Sequence, residues 1–420
     1  MGRHCGRIAT NHYHVSGVNH ISETTWVVVA GGIHREGGMD RCNWALARHL
    51  IQRGDRVHLV CHHADANLLN GQSTTIHIVA KPARSFMLGG LLLSAAGRKI
   101  ALEVSRLSPQ TRVVINGGNC NWPDINWVHC VHHAWRHTES KSSRSFFRPK
   151  IRLYRRLSCR HERAALRRAR ILIANSERTR HDLIDALRIE PDRIHTVYPG
   201  VDSDFLPPSP ARRIAARAWL GKSDQRLLVA FIGALGYDCN KGLDVLFSAW
   251  RVLCARPDWD ADLIVAGDGK ASEFWRRRIA ESSMDKRVAL LGFTNRIPDL
   301  LAATDLVVSP VRYESYGLNV AEAICCGVPA MVTQTAGVAE RYPKQLRDLL
   351  LRNPEDVSEL VEKLVKWRTA VIYWKEKIIP FSQALGEYTL EAMARQMASI
   401  IESNPCAELD TPGSEPGKTN

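Results

Sequence analysis

The sequence predicts an α/β chain of two similar halves, each a doubly wound parallel sheet covered by helices. Short apolar strands alternate with helix-length segments from residue 26 to residue 333. A run rich in proline and turn residues, PGVDSDFLPPSP at 199–210, breaks that alternation, which then restarts. With 420 residues and 45% hydrophobic content, the chain can fill two cores. Strands separated by helices pair in parallel, because the return crossover needs a helix. Two such units facing one another would hold ligands in the crevice at the carboxyl ends of their strands.

The elements follow in order. Residues 26–30 form a short apolar strand, followed by Gly31, Gly32, Gly37 and Gly38 and then a helix over about 39–53. Residues 56–62, 76–80, 112–115 and 126–131 read as further strands, and 171–175 as another. Ser176 suits the N-cap of a helix running to about Leu187. Residues 195–198 lead into the proline-rich linker. Beyond it, 226–233 is a strand and 242–256 a helix; 262–266, 288–292, 306–310 and 330–333 complete the strands. A helix over 387–402 ends the ordered part. The expected division is a polar extension over 1–24, an N-terminal unit over 25–200 and a C-terminal unit over 201–385. A helix over 386–402 packs back on the N-terminal unit, and a disordered tail rich in Pro, Gly and Ser spans 403–420.

Charge narrows the partners. The net charge of +14 calls for an anion: nucleic acid, a membrane surface or a phosphorylated substrate. The 11 cysteines contain no C-x-x-C pair, which favours reduced thiols over a disulfide framework. The longest apolar run, 87–96, is too short to span a bilayer and holds two glycines. The first 25 residues are polar and His-rich, with no apolar core of a signal peptide. These features predict a cytoplasmic protein.

The most informative stretch is DLVVSPVRYESYGLNVAEAICCGVPAMVT at 305–333. It reads as strand, polar loop, tight glycine entry, helix, and second strand. Glu314 falls in the loop before the helix, and Glu322 on its second turn, pointing back toward the helix start. The amides of Gly317, Leu318 and Asn319 would face the same crevice. A helix start binds phosphate, and a carboxylate beside it accepts hydrogen bonds from sugar hydroxyls. Two Glu residues eight apart are commonly just solvated charges; the string around them is more specific. It resembles the Glu, seven residues, Glu signature of the family 4 retaining glycosyltransferases, with E-x-x-G-L and E-A-x-x-C-G-V-P both in place.

That resemblance covers most of the chain and is sharpest over 241–340. It implies the fold called GT-B, two facing Rossmann-like domains, with the acceptor mainly in the N-terminal half and a nucleotide-sugar donor mainly in the C-terminal half. It implies no cofactor, the nucleotide-sugar being a co-substrate, and no divalent metal. Gly37 and Gly38 resemble the family's glycine loop near the donor diphosphate. Lys241 corresponds to the lysine on the donor phosphates. Gly267, Asp268 and Gly269 resemble its G-D-G turn facing the nucleotide. Glu314 would reach the donor sugar and Glu322 the ribose hydroxyls. Glu340 matches a position that supports structure. The family usually carries an arginine a few residues before the lysine. Here Ala234 and the loop GYDCN hold no basic residue, and Arg312 beside Glu314 is the candidate to supply that charge.

Two further clusters stand out. His129, His132, His133 and His137 surround a strand end with Cys130. The spacing gives no tetrahedral metal set, and the resemblance implies a histidine beside donor sugar and acceptor, either His129 or His133. The stretch over 143–170 is dense in arginine, with Glu162 its one acid and Phe146, Phe147, Ile151 and Leu153 interleaved. Nucleic acid would explain the charge, but no nucleic-acid module accompanies it. An anionic membrane surface fits better, placing the protein peripherally on the inner face of the cell membrane; an anionic acceptor is a third reading. The reading that follows is nucleotide-sugar-dependent transfer to a saccharide or lipid-linked acceptor, with retention, in cell-surface polysaccharide or glycolipid synthesis. The rivals are a non-catalytic basic binder on a degenerate scaffold and a sugar-nucleotide epimerase, which the E-A-x-x-C-G-V-P context disfavours.

Overall fold

Runs of Val, Ile, Leu and Ala with no polar alternation belong in strands buried on both faces, as parallel sheets require. The structure, a computed structural model, describes residues 24–70, 73–82, 85–135, 148–223 and 225–405. The first half contains β1 (Thr25–Val29), β2 (Gly32–Ile33), α1 (Gly38–Arg53), β3 (Arg56–Cys61), β4 (His63–Ala64), β5 (Thr74–Ile78) and α2 (Phe86–Leu107). It continues through β6 (Arg112–Asn116), β7 (Ile125–Val128), α3 (Arg148–Arg168), β8 (Ile171–Ala174), α4 (Glu177–Leu187) and β9 (Ile194–Thr196). Seven strands form one parallel sheet in the order β5-β3-β1-β6-β7-β8-β9, and β2 pairs with β4 beside it.

The second half opens with α5 (Pro210–Trp219), β10 (Leu227–Ile232), α6 (Leu243–Cys254), β11 (Ala261–Ala266), α7 (Ser272–Glu281) and β12 (Val288–Gly292). Then come α8 (Ile297–Ala303), β13 (Leu306–Ser309), α9 (Leu318–Cys325), β14 (Ala330–Thr333), β15 (Leu350–Leu351), α10 (Val357–Thr369), α11 (Val371–Gly386) and α12 (Leu390–Glu402). Its six-stranded parallel sheet has the order β12-β11-β10-β13-β14-β15. In both sheets the chain starts near the middle, works to one edge and returns to the other side. That reversal creates a crevice at the strand ends.

Several expectations shift. The strand expected at 76–80 begins at Thr74 and ends at Ile78, and that at 126–131 ends at Val128. The helix expected from 387 begins at Leu390, because the Thr389 hydroxyl caps the Ala392 amide. Helices α2, α3, α5, α7, α8, α10 and α11 were not among the expected elements; Pro380 sits inside α11. The expected extension over 1–24 and tail over 403–420 fall almost wholly outside the described residues, as do His137, Phe146 and Phe147.

Helix α12 returns to the first half. Leu390, Met393, Ala394, Met397, Ala398 and Ile401 repeat at helical spacing and bury against Leu46 and Leu50 of α1. The linker is stitched to the start of that helix, with the Val201 amide on the Tyr388 carbonyl at 3.2 Å.

A buried charge anchors the second sheet. Asp305 precedes β13 and takes the Leu228 amide at 2.9 Å, Arg217 at 2.5 Å, Arg213 at 2.8 Å and Lys375 at 2.7 Å. It thereby joins β10, α5 and α11. Arg217 is itself buried. Replacing Asp305 by Ala would leave that guanidinium without its carboxylate, so Asp305→Ala is expected to lower the urea unfolding free energy by about 3–5 kcal/mol. A loss below about 1 kcal/mol would show that the cluster is surface-like.

Candidate active site

The crevice is built around the start of α9. Strand β13 is buried along its whole length and aims the loop after Ser309 at the opposite half. Gly317 then turns the chain with φ of 110°, a left-handed conformation that other residues adopt at a cost. The first bonds of the helix run from the Val320 and Ala321 amides to the Gly317 carbonyl, at 3.1 and 3.2 Å. The amides of Gly317, Leu318 and Asn319 therefore head the helix, where backbone dipoles favour an anion. Asn319 Nδ2 donates to the Ile232 carbonyl at 2.9 Å and fixes the helix start to the end of β10.

The glycine loop of the first half meets this helix start. A Cβ on Gly38 would fall 2.9 Å from Leu318 Cδ1, so a larger residue there would have to displace the tip of that side chain. One turn further along α1, Arg41 reaches across the crevice and forms an ion pair with Glu322. Glu322 is buried; burial pushes its carboxyl above the usual carboxylate range, and the Arg41 guanidinium pulls against that shift. Arg41 lies over the Phe205 ring at 5.4 Å. Sequence reasoning passed over Arg41. Its one signal was its place three residues after the glycine pair.

Lys241 and Glu314 form the second pair in the crevice. Burial alone would lower the Lys241 ammonium, but the Glu314 charge and hydrogen bond outweigh it and hold the lysine above its ordinary value. The Gly267-Asp268-Gly269 turn sits one layer out. The Leu235 amide donates to the Asp268 carbonyl at 3.0 Å, and the Ala271 amide to the Leu235 carbonyl at 2.9 Å. The turn thus braces the loop that carries Lys241.

Arg312 is placed differently from the expectation. Its guanidinium is bidentate to Asp244 at 2.9 and 2.8 Å and also bonds Glu355 at 2.5 and 2.8 Å. Two carboxylates neutralise it in this structure, and it ties the loop to α6. The histidines separate as well. His132 Nδ1 and His133 Nδ1 both face the buried Glu162, at 2.6 and 3.3 Å. His129 has a buried Nε2 with no hydrogen-bond partner among the described residues. Among the described residues no group of three or more His, Cys, Asp or Glu side chains could hold a metal ion.

The loop over 313–316 also docks on the first half. Ser176 Oγ donates to the Ser315 carbonyl at 2.6 Å, and Asn175 Nδ2 bridges the Ser315 hydroxyl and the His129 carbonyl, both at 3.2 Å. Tyr313 Oη accepts from the Val131 amide at 3.2 Å and donates to Asp182 at 3.1 Å. Glu340 caps α4 from the other half, accepting from the Glu177 and Arg178 amides at 2.8 and 3.1 Å. The crevice is thus lined by Glu314, Lys241, the α9 start, Gly38 and the Arg41–Glu322 pair.

Known proteins carry the same two halves. Residues 226–369 match the family model of the glycosyl transferases group 1, and residues 36–205 that of Glycosyltransferase Family 4. The chain belongs to the group 1, family 4 glycosyltransferases. Its fold is the GT-B fold. WaaG, a glycosyltransferase involved in lipopolysaccharide biosynthesis, superposes with a TM-score of 0.71 at 20% identity, over 90% of this chain and 100% of that one. HepE from Anabaena, solved with UDP and glucose, gives a TM-score of 0.65 at 20% identity, over 91% of this chain and 100% of HepE. Among curated relatives, mannosylfructose-phosphate synthase from Agrobacterium fabrum is 27% identical over 253 residues, 58% of this chain and 55% of that protein. The chain spans about half the length of such relatives.

His129 follows β7 directly, with its Nε2 buried and without a described partner. Its ring packs on Trp127 at 4.5 Å, and burial pushes the imidazole down from 6.5 to about 3. The folded protein therefore keeps it neutral while the unfolded chain protonates it. The stability tied to this group is complete above pH 6.5 and falls as pH drops toward about 3. His129→Gln is expected to flatten that part of the acid-unfolding profile, by up to about 1.4 kcal/mol per pH unit. A variant profile parallel to wild type would show that the ring is not shielded.

Proposed function

We propose that the chain transfers a sugar from a nucleotide-sugar donor to a saccharide or lipid-linked acceptor, with retention of anomeric configuration. The observation that carries this reading is the convergence of the α9 start, Lys241, Glu314 and Gly38 on one crevice between the two halves. HepE, which shares the fold, binds UDP and glucose, and a donor of that class suits the groups present here.

In this reading the diphosphate lies on the amides of Gly317, Leu318 and Asn319 and takes the Lys241 ammonium. Glu314, now the partner of that lysine, is released to accept hydrogen bonds from donor-sugar hydroxyls. Glu322 holds the ribose hydroxyls, oriented by Arg41. The bond between the sugar C1 and the diphosphate oxygen breaks as the acceptor oxygen attacks from the same face. The acceptor proton passes to the departing phosphate. Charge on the leaving group is met by Lys241 and the helix dipole, in place of a divalent ion. We assign a histidine at this strand end, His129 or His133, to the donor sugar or acceptor; His129 Nε2 is unengaged among the described residues, while His133 bonds Glu162. The positive net charge suits anionic substrates and an anionic membrane surface, and we place the reaction at the cytoplasmic face of a membrane, in cell-surface polysaccharide or glycolipid synthesis.

Two variants test the assignment. Lys241→Ala is expected to reduce turnover by at least ~100-fold, the scale for loss of a charge stabiliser; near-normal rates would remove Lys241 from the mechanism. Glu322→Ala is expected to abolish donor binding by calorimetry, and unchanged affinity would reject the ribose role.

A further inference from the structure

Helix α2 carries more exposed large apolar side chains than any other described element. Its first two turns show Phe86 at 73% exposure, Met87 at 47%, Leu88 at 44%, Leu91 at 50% and Leu92 at 42%. The inner face of the same helix is well packed, with Leu93, Ala101 and Val104 against Val27, Val29 and Val60 of the sheet. The outer residues Leu88, Leu91, Leu92, Ala95, Arg98, Lys99 and Leu102 recur at helical spacing, so the outer stripe is apolar at its tip and basic behind. Lys81 stands over the Phe86 ring at 3.6 Å. From residue 73 to residue 107 the sequence holds Lys81, Arg84, Arg98, Lys99 and Arg106, with Glu103 as the one acid.

We infer that the outer face of α2 docks on an anionic lipid surface, with Phe86, Met87, Leu88, Leu91 and Leu92 entering the headgroup boundary. A water-exposed stripe of five large apolar side chains is unfavourable unless something covers it. A basic rim selects a negatively charged cover, and an apolar tip requires one that admits side chains; a bilayer with anionic headgroups satisfies both. A lipid-linked acceptor would then enter beside the crevice. Gly89 of α2 lies against His62: a Cβ there would come 3.2 Å from His62 Nε2, and the His62 amide donates to the Gly31 carbonyl at 3.1 Å, at the root of the glycine loop. In the other stretch expected to dock, over 143–170, the described side chains include exposed Arg156, Arg160, Arg163 and Leu157.

The inference adds a membrane surface to the glycosyl-transfer reading and rests on it only for the lipid-linked acceptor. It is tested by flotation with phosphatidylcholine vesicles, with and without phosphatidylglycerol. Wild type is expected to float with the phosphatidylglycerol vesicles at low salt and not with phosphatidylcholine alone. The triple variant Leu88→Ser, Leu91→Ser, Leu92→Ser is expected to partition at least ~10-fold more weakly with its melting temperature retained, since these side chains face solvent. Charge reversal at Arg98 and Lys99 is expected to weaken flotation at low salt, as a second check that leaves the apolar tip intact. Equal flotation of the triple variant and wild type, or loss of flotation only in an Arg156→Glu, Arg160→Glu, Arg163→Glu variant, would overturn the assignment to α2. So would wild type that ignores phosphatidylglycerol, or a wild-type dimer that the triple variant converts to monomer by sedimentation. Glu322→Ala is expected to float like wild type, so failure at the lipid surface and failure at the donor site are told apart.

Discussion

The fold closes on one constraint: the start of α9 must meet the glycine loop of the other half. Gly38 lies against Leu318, and one helical turn away Arg41 meets Glu322. A buried carboxylate without a partner is unfavourable by several kcal/mol, and a buried guanidinium likewise. Each half therefore carries a charge that is satisfied only by the other. The loop at 313–316 and the Glu340 cap on α4 reinforce the same seam with uncharged and charge-assisted hydrogen bonds. The helix start is held in register with both sheets, and its amides stay directed into the crevice.

The same logic orders the other charges. Lys241 and Glu314 neutralise one another, an arrangement an anionic ligand can replace without creating an unpaired charge. Arg312 sits between Asp244 and Glu355, and Glu162 between His132 and His133. Those groups brace loops. His129 Nε2, by contrast, is buried with no described partner. The difference between exchangeable, locked and open groups separates the candidate ligand-binding side chains from structural ones.

Much of the fold was legible because backbone requirements leave marks in sequence. Apolar runs marked β1, β11, β13 and β14, the first two leading into glycine turns; Ser176 marked the cap of α4, and Gly317 marked the entry to α9. Residues 330–333 were placed to the residue. Helix α2 was hidden because its exposed leucines and phenylalanine blur the amphipathic pattern that normally announces a helix. Helices α10 and α11 follow the last motif and carry no chemistry that draws attention. In the candidate site, the α9 start was readable from the turn at Gly317, while Glu314 and Lys241 were singled out by the family resemblance. Arg41 was not, since its partner is 281 positions away. The partners of Arg312 were hidden for a related reason: it is adjacent to Glu314 in sequence, yet its orientation is set by Asp244 on α6 and Glu355 before α10. The pairing of His132 and His133 with Glu162 was not legible either, since Glu162 lies on α3 and was read only as the lone acid of a basic run.

The central claim is that the crevice at the start of α9 receives a nucleotide-sugar. A thermal-shift panel of UDP-, GDP- and ADP-sugars against the wild-type protein tests it most directly, because a ligand that binds only the folded state raises the melting temperature. The account predicts that at least one of these donors raises it in a concentration-dependent way. A panel in which no nucleotide-sugar moves the transition, even at millimolar concentration, would contradict the account.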